Sequence, residues 1–306
     1  MNLKFKPAPI ILFVYARPRH TQKTISALSE NHLAIHSDLI VYADSARGDR
    51  DKELVAEVRS IIKNLNGFKS VTLNVRSKNF GLAKNIIDGV SEVCGQFGRA
   101  IVLEDDIVTS PHFLTYMNDA LNMYESVESV YSISGCNYPV DLCEMESQTY
   151  FLRLPLCWGW ATWDKEWKYF EKDLREVRRI DKSLVRYMNF DGAYDFFRQA
   201  TMNYKGQLDT WFVFWYLSLA KRRGLVLFPK DSLVVNIGHD GTGENSVKSK
   251  KYVEKSSLNA IEVLDIEVVE SLYAFKQHQM YFIGIRKTLK ERIFGKIMKI
   301  LSTLWS

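Results

Sequence analysis

The stretch AIVLEDDI, residues 100–107, decides how this chain is read. Ala100 to Leu103 form a mostly apolar run of the length and composition of a buried strand. Glu104, Asp105 and Asp106 follow directly at its end. Alternating α/β chains place ligand chemistry outside the carboxyl ends of their strands. Adjacent ionised carboxylates repel one another, so such a cluster calls for something positive among them. One reading is a solvated strand-to-helix loop with Pro111 opening the next helix. The other is a divalent-cation site that holds a nucleotide diphosphate.

Upstream, the same rhythm repeats. PIILFVY (9–15) is a short apolar run rich in β-formers, broken by Arg17-Pro18 and followed by a helix over 21–29. DLIVYA (38–43) predicts a second strand ending at Asp44, with a helix from about 52 to 64 after the polar loop SARGDRD. A third strand covers 71–76, and SKNFGLAKNIIDGVSEVC supplies a loop and an amphipathic helix. Strands and helices alternating at this spacing predict a mixed, mainly parallel sheet flanked by helices. Asn79, Gly81 and Asn85 match neither GxGxxG nor the P-loop pattern, which weakens a dinucleotide or ATP reading. Gly81 would still let backbone approach a ligand beside helix amides that favour anions; a tight turn with an Asn cap is the plainer alternative.

Downstream, further strands are expected at 131–134, 150–154, 226–228 and 233–235. Six of the seven tryptophans fall between Trp158 and Trp215. Large aromatics are mostly core, but indoles also stack on sugar rings, and the pair flanking Gly159 is the better candidate for a site wall. GQLDTWFVFWYLSLAKRRG (206–224) reads as a helix with Asp209 at its start and a basic end. Asp209 is either a simple N-cap or a general base rigidly aimed at an attacking hydroxyl. NIGHDGTGENS (236–246) is a Gly-rich loop long enough to act as a lid, in which His239 meets a metal or phosphate or is merely solvated.

Bulk properties narrow the classes. With 46% apolar and 25% charged residues in 306, the chain is globular and large enough for a substantial core. Four cysteines without CxxC or Cys/His metal spacing fit reduced thiols in a cytoplasmic protein. The opening residues do not read as a signal peptide, and no window reaches the ~20 apolar residues of a membrane span. The net charge of +5 lies entirely in residues 286–306, which hold six basic residues and one acid. Residues 285–306 read as a basic amphipathic helix suited to an anionic membrane surface, the alternative being a helix packed on the body. A nucleic-acid binder would spread its basic surface over the folded body, so no nucleic-acid partner is expected.

In combination these motifs resemble a GT-A-fold (Rossmann-like) glycosyltransferase. PIILFVYARPRHTQKTISAL, RSKNFGLAKNIIDGV and LEDDI resemble the nucleotide-binding half of bacterial family 2 enzymes. The EDD form of the acidic motif, with LDTWFVFW after Trp-Gly-Trp, is closer to the N-acetylglucosaminyltransferase I type. The resemblance implies that Asp106 coordinates Mn²⁺ or Mg²⁺ bridging a diphosphate, with Glu104 and Asp105 near the ribose or donor sugar. It implies that backbone at Ala16 and Arg17, with Asp44, holds the nucleoside, and it includes Asn79, Gly81 and Asn85 in the donor-binding set. Gly159 and Trp160 would border donor and acceptor, His239 would close over the diphosphate, and Asp209 would be the base of an inverting reaction. The implied donor is a nucleotide sugar, most simply a UDP-sugar, and the acceptor a glycan or lipid-linked saccharide. The implied setting is the cytoplasmic face of the membrane, in bacterial surface polysaccharide synthesis. The expected division is a catalytic domain over 1–250 (donor half to about 140, acceptor half 141–250), a helical extension over 251–284, and the basic helix over 285–306. Two rivals are a sugar-phosphate nucleotidyltransferase, which would want a Gly-rich phosphate loop after the first strand, and a non-catalytic carbohydrate-binding protein, which gives EDD no purpose.

Overall fold

Apolar runs separated by amphipathic helices build the first half of the chain. In order these are β1 (Ile10–Val14), α1 (Pro18–Ser29), β2 (Asp38–Ala43), α2 (Asp49–Lys63), β3 (Ser70–Val75), α3 (Leu82–Phe97) and β4 (Arg99–Glu104). The computed structural model describes residues 6–240 and 255–286. Every residue of β1 is buried, and a fully buried Ile, Leu or Val is worth about 1.5–3 kcal/mol, so a register slip of this strand is costly. Helix α1 begins three residues earlier than expected, at Pro18. Proline is tolerated at the first helical position because its missing N–H would be unsatisfied there anyway. The early start puts Arg17 at the helix mouth.

The second half adds β5 (Ile107–Thr109), α4 (Phe113–Met123), β6 (Val130–Ser134), β7 (Thr149–Leu152), β8 (Trp160–Trp163), α5 (Asp164–Trp167), α6 (Lys182–Met188), α7 (Arg198–Tyr204), α8 (Phe212–Lys221), β9 (Leu225–Pro229), β10 (Val234–Asn236) and α9 (Leu272–Ile285). The main sheet has eight strands in the order β3-β2-β1-β4-β8-β6-β9-β7. Strands β3, β2, β1 and β4 run parallel. Strand β8 enters antiparallel between β4 and β6, and β7 closes the far edge antiparallel to β9. The mixed, mainly parallel α/β sheet read from the sequence is therefore present, with the carboxyl ends of β1, β2, β3 and β4 on one edge.

Three departures from the sequence reading shape the site. The WATW segment is strand β8, buried at all four positions, so Trp160 belongs to the core rather than to a site wall. Strands β5 and β10 pair antiparallel in a separate two-stranded sheet, which ties the residues after the acid triplet to those before His239. The helix expected from 206 starts only at Phe212, behind a loop.

Residues 255–271 are not helical, contrary to the expected extension, and pack on the body as an irregular strap. The Tyr124 hydroxyl donates to Leu264 O at 2.8 Å, Ser271 N donates to Phe151 O at 2.9 Å, and Arg153 pairs with Glu270. Helix α9 then docks through His278, which is fully buried. Its Nδ1 lies 2.8 Å from Ala274 O and its Nε2 3.1 Å from Asn137 Oδ1. Burial holds the imidazole pKa down to about 4. The proposed basic helix beyond residue 286 lies outside the described residues. Among those described, no helix is long and apolar enough to cross a membrane.

Candidate active site

The site is built where β1 and β4 end side by side, Phe13 opposite Glu104. Glu104 closes β4 and the next two acids form a tight turn into β5. Asp105 is 7% exposed and turned inward: its Oδ2 accepts from Tyr15 N at 3.3 Å, and its carbonyl accepts from Thr24 Oγ1 at 2.9 Å. Burial, then the neighbouring Asp106 charge, raise the Asp105 carboxyl to about 7. The same causes, with Asp105 added, push Glu104 well above the usual carboxylate range. Crowding three acids against a strand end thus disfavours ionising all of them together.

The positive group that the triplet calls for is Arg17. Its Nη1 donates to Asp106 Oδ2 at 2.7 Å and lies 3.7 Å from Asp105 Oδ1. Arg17 Nε and Nη2 are buried with no partner among the described residues. A guanidinium with two spare buried donors beside a carboxylate is suited to a multivalent oxyanion. The sequence reading assigned only backbone at Ala16 and Arg17 to the donor; the structure adds the Arg17 side chain.

The loop after β10 closes over this pair. Ile237 N donates to Asp106 O at 2.9 Å. Gly238 follows, and a Cβ there would stand 2.1 Å from Asp106 Oδ2 and 3.0 Å from Arg17 Nη2. Only glycine lets the backbone pass so close to the acid. His239 sits edge-on to Trp158 at 5.2 Å between ring centroids, its pKa lowered by burial and partly restored by Asp106. Asp240 Oδ2 lies 3.1 Å from His20 Nε2, joining the loop to the first turn of α1. Of these residues only His239 was singled out beforehand, and Gly238 and Asp240 carried no signal beyond their place in a Gly-rich segment.

Asp44 plays a different part from the one expected. It is 5% exposed, and its carboxylate accepts from Ser45 N (2.8 Å), Asn79 Nδ2 (3.2 Å), Phe80 N (2.9 Å) and Gly81 N (2.9 Å). Those bonds clamp the turn in which Gly81 has a φ of +73°, a backbone state that favours glycine. Asn79 Nδ2 also donates to Ser45 O at 2.7 Å, and buried Asn85 accepts from Arg76 Nε at 2.8 Å. Asp44, Asn79 and Asn85 therefore shape the loop that follows β3, and both Asp44 carboxylate oxygens are spent on it. Tyr15 faces the same region: its hydroxyl donates to Asp51 at 2.7 Å and accepts from Arg47 N at 2.9 Å.

On the other side of the triplet, the Trp-Gly-Trp segment divides. Gly159 has a φ of +65°, and its carbonyl accepts from Gly135 N at 2.8 Å. Cys157, just before, lies close enough to Glu104 and Asp106 for their charges to raise its thiol pKa, after burial itself. Trp160 does not border the cleft: it is 1% exposed and stacks on Trp211 at 5.3 Å in the core. Trp158 is the partly exposed member and meets His239. Trp158 precedes the strand, and the positive-φ turn at Gly159 separates it from Trp160, the first residue of β8.

Asp209 is neither an N-cap nor in contact with the triplet. It lies in the loop before α8, its side chain 81% exposed and ion-paired with Lys172. Trp211, two residues on, stacks on Trp160, which pairs with Val102 near the carboxyl end of β4.

Among the described residues, no group of three or more His, Cys, Asp or Glu side chains is arranged to hold a metal by itself. Asp106 offers a single carboxylate, held by Arg17. That donor set fits an ion such as Mg²⁺ or Mn²⁺, which is commonly held by one or two carboxylates with substrate phosphates completing its shell.

No family model and no curated protein matches this chain. Among solved structures it is similar to the mannosyltransferase PcManGT from Pyrobaculum calidifontis in complex with GDP-Man and Mn²⁺, at 12% identity and a TM-score of 0.38 over 53% of this chain and 46% of that one. It is also similar to TarS of S. aureus, at 12% identity and a TM-score of 0.33 over 64% of this chain and 34% of that one. The chain thus spans under half the length of either structure. Overlap this slight identifies neither family nor chemistry.

Proposed function

We propose that this chain is a metal-dependent, inverting glycosyltransferase that moves a hexosyl or N-acetylhexosaminyl group from a nucleotide-diphosphate donor, most simply a UDP-sugar, to a hydroxyl of a glycan or lipid-linked saccharide. One observation carries the reading. An acid triplet at the end of β4 is met by a half-buried arginine with two unspent buried donors and covered by a Gly-His-Asp loop.

The chemistry follows from that arrangement. Asp106 would hold the divalent ion with oxygens of the diphosphate; the ion, when bound, neutralises charge on the departing group. Arg17 leaves Asp106 and turns its guanidinium to the diphosphate. His239 and the Gly238 backbone shield the pair from water, and Trp158 offers an apolar face to a sugar ring. Asp209 is the proposed base on the acceptor side, freed from Lys172 to take the proton of the attacking hydroxyl as the anomeric bond to diphosphate breaks. Tyr15 and the loop shaped by Asp44 flank the nucleoside.

Incubation with a panel of nucleotide sugars, with and without Mn²⁺, tests this directly. Metal-dependent release of nucleoside diphosphate is expected. Release of pyrophosphate from a sugar phosphate and nucleoside triphosphate would favour a nucleotidyltransferase, and binding of glycans without release would favour a lectin-like protein.

The proposed setting is the cytoplasmic face of the membrane, in bacterial surface polysaccharide synthesis, supported by the basic amphipathic composition of residues 286–306. Deleting those residues is expected to abolish binding to anionic vesicles; unchanged binding would remove the membrane role.

A further inference from the structure

Residues 1–285 carry no net charge, yet their cations are not spread evenly. Along α2, positions 52, 55, 56, 59, 60 and 63 follow helical spacing and share one face. That face and the loops after β2 and β3 enclose an open groove of about 650 Å³. Arg47, Lys52, Arg59, Lys63 and Lys78 all line it, and among the described residues no acidic or aromatic one does. From Lys52 to Lys63 the helix rises about 16 Å, so the cations form a track rather than a point.

One of them is built in. Arg59 Nη2 donates to Asp44 O at 3.2 Å and to Ser45 Oγ at 3.0 Å, which fixes its guanidinium at the groove wall. Its Nε is buried with no partner among the described residues. Lys52 has a competitor in Asp49, 2.7 Å away, but both side chains are more than two-thirds exposed, and such a pair is weak.

We propose that this groove is a second anion site, separate from the acid-triplet cleft, that takes a linear ligand carrying several phosphates. A nucleobase needs no row of five cations, and a single phosphate would use only part of a 16 Å track. Single-stranded nucleic acid is disfavoured because the lining offers no ring on which a base could stack. The ligand's phosphates come either from a soluble phosphate chain or from headgroups of an anionic lipid surface. The groove shares Ser45 and Asn79 with the loop proposed to flank the nucleoside, but none of its cations takes part in the proposed chemistry.

The test uses the full chain and the charge-reversed double variant Lys52→Glu/Lys63→Glu, with Lys52→Gln/Lys63→Gln as the milder pair. Calorimetry with inorganic tripolyphosphate and co-flotation with phosphatidylglycerol vesicles form the two arms. Both variants should fold, because both lysines are exposed on a helix surface, and circular dichroism checks it. Tripolyphosphate binding that weakens at least tenfold in the reversed variant, less in the neutral one, and fades with added salt supports the soluble source. A comparable loss confined to vesicles supports the lipid source. Equal binding by native and reversed chains in both arms overturns the proposal, as does a single-stranded RNA oligomer that binds tighter than either probe.

Discussion

Arg17 occupies the carboxylate that the proposed metal needs, and this makes a quantitative prediction. The Nη1–Oδ2 contact of 2.7 Å joins two groups whose side chains are 18% and 14% exposed. A hydrogen bond between charged groups is worth about 1.5–3 kcal/mol net. A metal entering without donor must displace that bond, so the native chain should bind it weakly. In Arg17→Ala the internal competitor is gone, and affinity for Mn²⁺ alone should rise about 10- to 150-fold, at about 1.4 kcal/mol per factor of ten. The same variant loses the guanidinium proposed to hold the diphosphate, so its affinity for nucleoside diphosphate should fall. Titration of free Mn²⁺ by electron paramagnetic resonance, first without and then with nucleotide, reads both effects. Removing Arg17 also leaves the triplet without its counter-charge, so the melting temperature should drop and the titration belongs well below it. Mn²⁺ binding that is unchanged or weaker in folded Arg17→Ala would refute the competition, and with it the placing of metal at Asp106.

Three further predictions address other parts of the molecule. Gly238→Ala puts a methyl 2.1 Å from Asp106 Oδ2, so either the Asp106 carboxylate or the covering loop must shift; turnover should fall about 100-fold, by steady-state kinetics, with little change in melting temperature. Asp209→Asn should keep donor affinity and lose about 10²–10⁴ in kcat, and unimpaired turnover removes it from the base role. His278 stays neutral in the folded chain down to about pH 4, while the unfolded chain protonates it below 6.5, so stability from this group is complete above 6.5 and lost as pH falls to 4. The advantage of the native chain over His278→Gln in urea unfolding should therefore shrink by about 3 kcal/mol across that range, and a constant difference would contradict a buried neutral ring.

The amino-acid sequence by itself determined the alternation of strands and helices through β4, because continuous apolar runs and amphipathic periods are local signals. It also marked EDD as a site, since three acids at a strand end conflict with burial wherever they occur. It missed β5, whose three residues are too short to show a period, and it anticipated β10 at 233–235, one residue early, but not its pairing with β5. It placed Asp209 on a helix because the apolar run after it looks helical, whereas the true start is settled by Trp211 packing on Trp160. It treated Asp44 as a ligand-binding carboxylate, and only the folded chain shows its oxygens consumed by Ser45, Asn79, Phe80 and Gly81. Trp158 and Trp160 look alike on either side of Gly159; strand pairing buries one and leaves the other at the cleft. Arg17 and Asp106 are 89 residues apart, and no local pattern links them. What a residue is prone to form is written in its neighbours along the chain, but which charge meets which is decided by the parallel pairing of β1 with β4, a contact that exists only once the sheet has closed.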